Sequence, residues 1–264
     1  MKSFPALPLF VGLAMWPLSL QADPDPFSPE DQEAVDPMQV QVQVEFVEMD
    51  HKRLTKLLFL SKPKVADATP LRETVGKMVE AGEAEVLETM MVVARSGEKA
   101  TSEGIREFIY PTEYEPPVVP EKVNFPEKPK GVGFSAEELK AMSLLRTQFA
   151  PTAFETRNLG STLEVAPSFG AGGKYIDLSV APEIVWHTGN TVWAEDKDAF
   201  GNVSKVQMPE FYKLSVGTSL TCIDGQYNLV AVLTPKNQNG VGDLSRKVMV
   251  FVKCDVVVVK EGER

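Results

Sequence analysis

The chain has 264 residues, with 37 acidic against 27 basic side chains and a formal net charge of −10; 43% of the residues are hydrophobic. An acidic chain of mixed sign argues against nucleic acid or an anionic membrane surface as a main partner, while the apolar share is enough for a packed core. Only two histidines and two cysteines are present, so the residue types that build metal centres and acid–base catalysts are scarce.

Lys2 is the only charge before Asp23, and between them runs an apolar stretch, 4–20, that ends in Leu20-Gln21-Ala22. A basic start, a short apolar core and a small final residue predict a secretory signal peptide over 1–22. The alternative, an uncleaved anchor, is disfavoured by Pro5, Pro8 and Pro17 and by the shortness of the run. No cysteine stands at the junction, so a lipid-modified N-terminus is not supported. Residues 23–37, acidic and rich in proline, read as a flexible leader.

Gln39-Val40-Gln41-Val42-Gln43-Val44-Glu45-Phe46 then alternates polar and apolar without a break. Only a strand puts such residues on opposite faces, which predicts one at 38–49. Thr69-Pro70-Leu71 opens a helix with proline in its first turn; Leu71, Val75, Met78 and Val79 share a stripe, and Ala81-Gly82 ends it. Strands follow at 84–94 and 99–109, with Ser96-Gly97 as the turn between them. Residues 111–133 carry six prolines, which remove too many backbone donors for regular structure, and form a loop that serves either as an interaction segment or as a spacer. Ser135 and Glu138 make a capping box for a second helix, 135–148.

Beyond that point strands are predicted at 154–167, 174–186, 205–222, 226–234 and 246–259, with the polar stretch 188–203 as a connection and 260–264 as a tail. The fold class is mainly β with two or three helices (α+β): one antiparallel domain over 38–259 built from long hairpins. If the last hairpin centres on Gln238, Cys222 and Cys254 become direct cross-strand neighbours, close enough for a disulfide. A break at the Asp224-Gly225 turn would instead leave two separately buried thiols.

No catalytic residue, metal ligand set or cofactor is expected. His51 and His187 each stand alone beside a strand end, and read as surface polar residues. Gly170-Ala171-Gly172-Gly173 leads into an alternating strand rather than a helix, so it is a hairpin turn and not a phosphate cradle. Glu45, Glu48, Asp177 and Glu183 sit on strand faces beside apolar residues and read as solvated or lumen-facing. Trp186, Trp193, Phe200, Phe211 and Tyr212 gather near strand ends, as do the aromatic girdles of membrane barrels, although soluble sandwiches bury aromatics in such places too.

Five segments in order resemble the channel domain of bacterial secretins of type II and III secretion and type IV pilus systems. They are the strand Val40 to Met49; Gly82-Glu83-Ala84-Glu85-Val86-Leu87 with Ser96-Gly97-Glu98-Lys99-Ala100; and Asn158-Leu159-Gly160-Ser161-Thr162-Leu163-Glu164-Val165-Ala166-Pro167 followed by Tyr175-Ile176-Asp177-Leu178-Ser179-Val180-Ala181-Pro182-Glu183. The last two are Val216 to Gln226, with its Asp224-Gly225 turn, and the closing strand Lys247 to Val252. The resemblance implies an exported, homo-oligomeric protein of the outer membrane or periplasm of a Gram-negative-type bacterium. Its subunits would complete a ring together and work with other secretion or pilus envelope proteins. The alternative is a periplasmic β-sandwich adaptor that binds partners without forming a pore, offering Val40, Val42, Val44 and Phe46 as an assembly strand. An exported hydrolase would need a nucleophile–base set that the sequence lacks.

Overall fold

The computed structural model describes residues 38–61, 66–118, 128–170, 174–198, 200–237 and 240–259. The expected signal peptide, leader and tail lie outside the described residues, as do 171–173 of the glycine turn and 119–127 of the proline-rich loop. The described chain contains β1 (Met38–Asp50), α1 (His51–Ser61), α2 (Thr69–Glu80), β2 (Ala84–Arg95), β3 (Ala100–Glu115), α3 (Ala136–Ser143), β4 (Ala150–Phe169), β5 (Tyr175–Lys197), β6 (Val203–Ser215), β7 (Thr218–Ile223), β8 (Tyr227–Leu233) and β9 (Arg246–Val258). It is mainly β with three helices, and every strand pairing is antiparallel.

Two sheets stack. Sheet A has the order β2-β1-β9-β8; sheet B has the order β3-β4-β5-β6, with β7 also paired to β5. The alternation in β1 explains the packing. Val40, Val42, Val44 and Phe46 point inward and are fully buried, together with Val248, Val250 and Val252 of β9. They meet Leu163 and Val165 of β4 and Ile176, Leu178 and Val180 of β5. Removing each such side chain from water contributes about 1.5–3 kcal/mol, so this inter-sheet layer dominates the stability of the domain.

The other face of sheet A carries α1 and α2. Here Val47, Met49, Met249 and Phe251 form a second core with Leu54 of α1 and Leu71 and Val75 of α2. The same odd-numbered face of β1 holds Glu45, almost fully buried, which pairs with Arg72 of α2 and accepts a 2.8 Å hydrogen bond from Gln43 Nε2. Arg72 also lies over the Tyr227 ring at 5.8 Å. This ion pair pins α2 to the sheet.

Several expectations are corrected. Helix α1 is absent from the sequence reading; Asp50 caps it by accepting from the Arg53 N–H at 3.0 Å, and Leu54, Leu57 and Leu58 supply its inner side. Strand β1 is not an available assembly strand: β2 and β9 flank it along its length, so Val40, Val42, Val44 and Phe46 are core and no edge remains to be added to. Strand β3 runs on through Pro111 to Glu115, because its partner β4 absorbs the missing donor at register shifts around 111–114.

The strand expected at 205–222 is interrupted at Val216-Gly217, yet β6 and β7 lie along β5 in one register. Helix α3 ends at Ser143 rather than 148, with Leu144 as its cap. The Asp224-Gly225 turn, with Gly225 at φ 76°, does not join hairpin partners. It carries the chain from sheet B to sheet A.

Candidate functional site

The stretch read as a connection, 188–203, is mostly strand. β5 is 23 residues long, roughly 75 Å at about 3.3 Å per residue, and pairs with β6 out to Lys197↔Val203. Only its first half belongs to the sandwich. The β4–β5 ladder ends at Gly160↔Val185. Past that point 150–159 pair only with β3, and 186–197 only with β6, among the described residues. Sheet B therefore divides into two hairpin arms, 105–115 with 150–159 and 186–197 with 203–213.

No residue in either arm is buried. Large apolar side chains stand in solvent: Ile109 is 65% exposed, Phe154 57% and Trp193 72%. Ile109 and Phe154 share one face of the first arm, since Pro111 faces Phe154 and Ile109 faces Thr156. The arms touch through an aromatic cluster. Phe108 stacks on His187 with centroids 4.7 Å apart and meets Phe211 edge-on at 5.9 Å. Tyr110 lies 5.4 Å from Phe211, Arg157 covers that ring at 5.5 Å, and the Tyr114 hydroxyl donates to the Gln207 carbonyl at 3.3 Å. Beside the β5–β6 tip, Arg146 pairs with Asp196 at 3.1 Å and Lys140 lies over Phe200 at 4.5 Å.

The five aromatics singled out in the sequence therefore part company. Trp186 and Tyr212 stack on each other at 5.2 Å and pack against the inter-sheet core, and burial pushes the Tyr212 phenol upward from its ordinary pKa. Trp193, Phe200 and Phe211 lie in the second arm and at its tip. His187 joins the aromatic cluster and sits 2.9 Å from Asn190 Oδ1. His51 is exposed, and its Nδ1 lies 2.8 Å from the Leu244 carbonyl. Glu48 accepts from Arg246 at 2.6 Å, Glu183 pairs with Lys213, and Asp177 accepts from Thr221 Oγ1 at 2.7 Å.

Cys222 and Cys254 are not cross-strand neighbours. Tyr227 faces Lys253, which centres the β8–β9 hairpin on Gly240, while Cys222 pairs with Ile176 in sheet B and Cys254 with Val42 in sheet A. Both are free, fully buried thiols in the inter-sheet core.

Sequence reasoning missed the fork itself. Its signal is the pair Gly104 and Gly160 inside strand patterns, where glycine marks a close backbone approach. Among the described residues no group of three or more His, Cys, Asp or Glu is placed to hold a metal ion, and no helix is long and apolar enough to cross a membrane.

No protein-family model matches the sequence, and no curated protein matches it. The fold is similar to solved secretin structures. The chain is similar to the type II secretion system secretin GspD of E. coli K12, at 12% identity and a TM-score of 0.36, over 84% of this chain and 51% of that one. It is similar to the InvG secretin domain β-barrel of the Salmonella SPI-1 injectisome, at 10% identity and a TM-score of 0.37, over 86% of this chain and 64% of that one. It is likewise similar to the secretin XcpQ of Pseudomonas aeruginosa, at 12% identity and a TM-score of 0.38, over 86% and 61%. The chain thus spans between half and two thirds of the length of these structures.

Proposed function

We propose that this protein is a secretin-like component of the cell envelope, whose copies join through their hairpin arms into a closed ring. The observation that carries this reading is the pair of arms without a buried residue and, among the described residues, without a strand paired to the inner edges of 150–159 and 186–197. Unpaired strand edges are templates for further pairing, and exposed apolar faces mark interaction surfaces. The arm strands, about 10–12 residues each, match the roughly 9–11 residues a tilted strand needs to cross a bilayer. Four strands cannot close a barrel alone, since barrels in lipid start at about eight and leave no edge. Several copies side by side would meet both demands.

The resemblance of the strand and turn motifs gives the ring its kind: a structural or channel component of a type II or III secretion or type IV pilus-type system, placed in the outer membrane or periplasm alongside other envelope proteins. The role is mechanical rather than enzymatic. A second reading, a pore-free periplasmic adaptor, draws on the sandwich and its helices, whose core is complete within one chain.

The test is the size of the purified full chain in detergent, by light scattering and electron microscopy. A ring-sized multimer supports assembly through the arms. A monomer or dimer leaves the adaptor.

A further inference from the structure

Cys222 ends β7 in sheet B, and Cys254 lies in β9 of sheet A. The turn after Cys222 is docked onto the strand that carries Cys254. The Gly225 N–H donates to the Cys254 carbonyl at 2.8 Å, and the Val256 N–H donates to Asp224 Oδ1 at 2.7 Å. These two bonds fix where the chain crosses between sheets, and β7 and β9 come within 8 Å between Cα atoms. Both thiols face the inter-sheet core, at 0% exposure. Both belong to the same core cluster, and the neighbouring Cys222 side chain, followed by burial, pushes the Cys254 thiol well above its usual range. A disulfide needs two cysteines held at short range; the docked turn brings the end of β7 to the Cys254 stretch of β9, and both side chains enter one buried cluster without strand pairing.

We infer that Cys222 and Cys254 close into a disulfide while the chain folds in the presence of a disulfide donor, stapling sheet B to sheet A. Burial excludes reagents from the finished fold, so the bond forms as the sandwich assembles. One cysteine, as thiolate, attacks the donor disulfide and releases one donor thiol. The second cysteine then displaces the other donor thiol from the mixed disulfide. The two protein thiols lose two electrons and two protons, and the donor is reduced to two thiols. The closed loop contains all of β8 and the β8–β9 connection, so the staple restrains the unfolded chain over that length. In the folded protein it ties the layer from which the arms project to the layer that carries the helices. The inference is independent of ring assembly.

The experiment is refolding of the purified full chain with a mixture of oxidised and reduced glutathione, then digestion without reductant and mass mapping. The expected result is a peptide pair joined through Cys222 and Cys254, two hydrogens lighter than the separate thiol peptides. The melting temperature should fall by roughly 5–15 °C when dithiothreitol is added. A Cys222→Ser chain, if it folds, should show no such response to reductant. Two alkylatable thiols after denaturation, glutathione retained on either cysteine, or a link that leaves the melting temperature unchanged would each overturn the inference, and none of these measurements on the native chain requires a variant.

Discussion

A Cβ placed on Gly160 would sit 2.1 Å from the carbonyl oxygen of Gly104, and Gly160 itself has φ +122°. Ile105 faces Gly160 in the β3–β4 ladder, and Gly160 faces Val185 in the last rung of the β4–β5 ladder. This close approach lies where sheet B forks. Only glycine tolerates both the dihedral and the contact. Gly160→Ala should cost about 2–4 kcal/mol through strain and displacement of the Gly104 strand. Gly217→Ala, where nothing lies within 4 Å of the added carbon and φ is ordinary, should stay within about 0.5 kcal/mol. Urea unfolding of the two variants checks the contrast; equal costs would mean that the fork does not depend on Gly160.

Glu45 and Arg72 form a largely buried ion pair between a helix and a sheet, with side-chain exposures of 6% and 19%. Removing one partner strands the other charge against the apolar layer of α2 and β1. Glu45→Gln or Arg72→Met alone should destabilise the fold by about 3–5 kcal/mol, whereas Glu45→Met combined with Arg72→Met should recover most of the loss. A double-mutant cycle from denaturant midpoints measures this directly. Additive costs would show that the pair does not act as a unit.

Much of the sandwich was legible because burial enforces a pattern. The 39–46 alternation survives as the inward face of β1, and the Ser135 capping box closes α3, with Ser135 Oγ accepting from the Glu138 N–H at 3.2 Å. The arms were not legible, for the opposite reason. Among the described residues from Thr188 to Val203 none is buried, so nothing selects alternating polarity, and a real strand reads as a polar connection. Helix α1 begins with His51-Lys52-Arg53, which hides the Leu54, Leu57 and Leu58 stripe behind a charged start. The Cys222–Cys254 register failed because hairpin arithmetic assumes one sheet, whereas Asp224-Gly225 switches sheets. Neighbours across a sandwich have no sequence signature.

Asp243 sits in an acid-sensitive turn. It accepts from the Ser245 N–H at 2.9 Å, from the Ser245 hydroxyl at 2.5 Å and from Arg246 Nε at 2.8 Å. The Ser245 and Arg246 hydrogen bonds lower its pKa from 3.8 to about 2. The folded-state value is depressed, so the stabilisation is present in full above the unfolded pKa near 4 and is lost as pH falls through about 2. Arg246 also reaches Glu48 of β1 at 2.6 Å, so the turn ties the β8–β9 connection to sheet A. Unfolding midpoints measured from pH 5 to pH 2 should converge for wild type and Asp243→Asn at the acid end and separate above pH 4. Parallel curves over the whole range would rule out this role.

The arms separate folding from assembly, and that separation can be measured. Ile109 and Phe154 are diagonal neighbours on one exposed face of the first arm, outside both cores. Ile109→Glu with Phe154→Glu removes no buried contact, so monomer stability should change by no more than about 0.5 kcal/mol per site. If copies meet through this face, two charges placed against an apolar or lipid-facing partner surface carry a desolvation cost that no bond within the chain offsets. The variant should therefore keep the wild-type circular dichroism spectrum while its detergent-extracted multimer shrinks to monomers or small oligomers in light scattering. Unchanged multimers would place the contact elsewhere on the arms, at the open edges of 150–159 or 186–197. Proline substitutions along those two stretches would then be expected to break the assembly, because each removes a backbone donor from an edge.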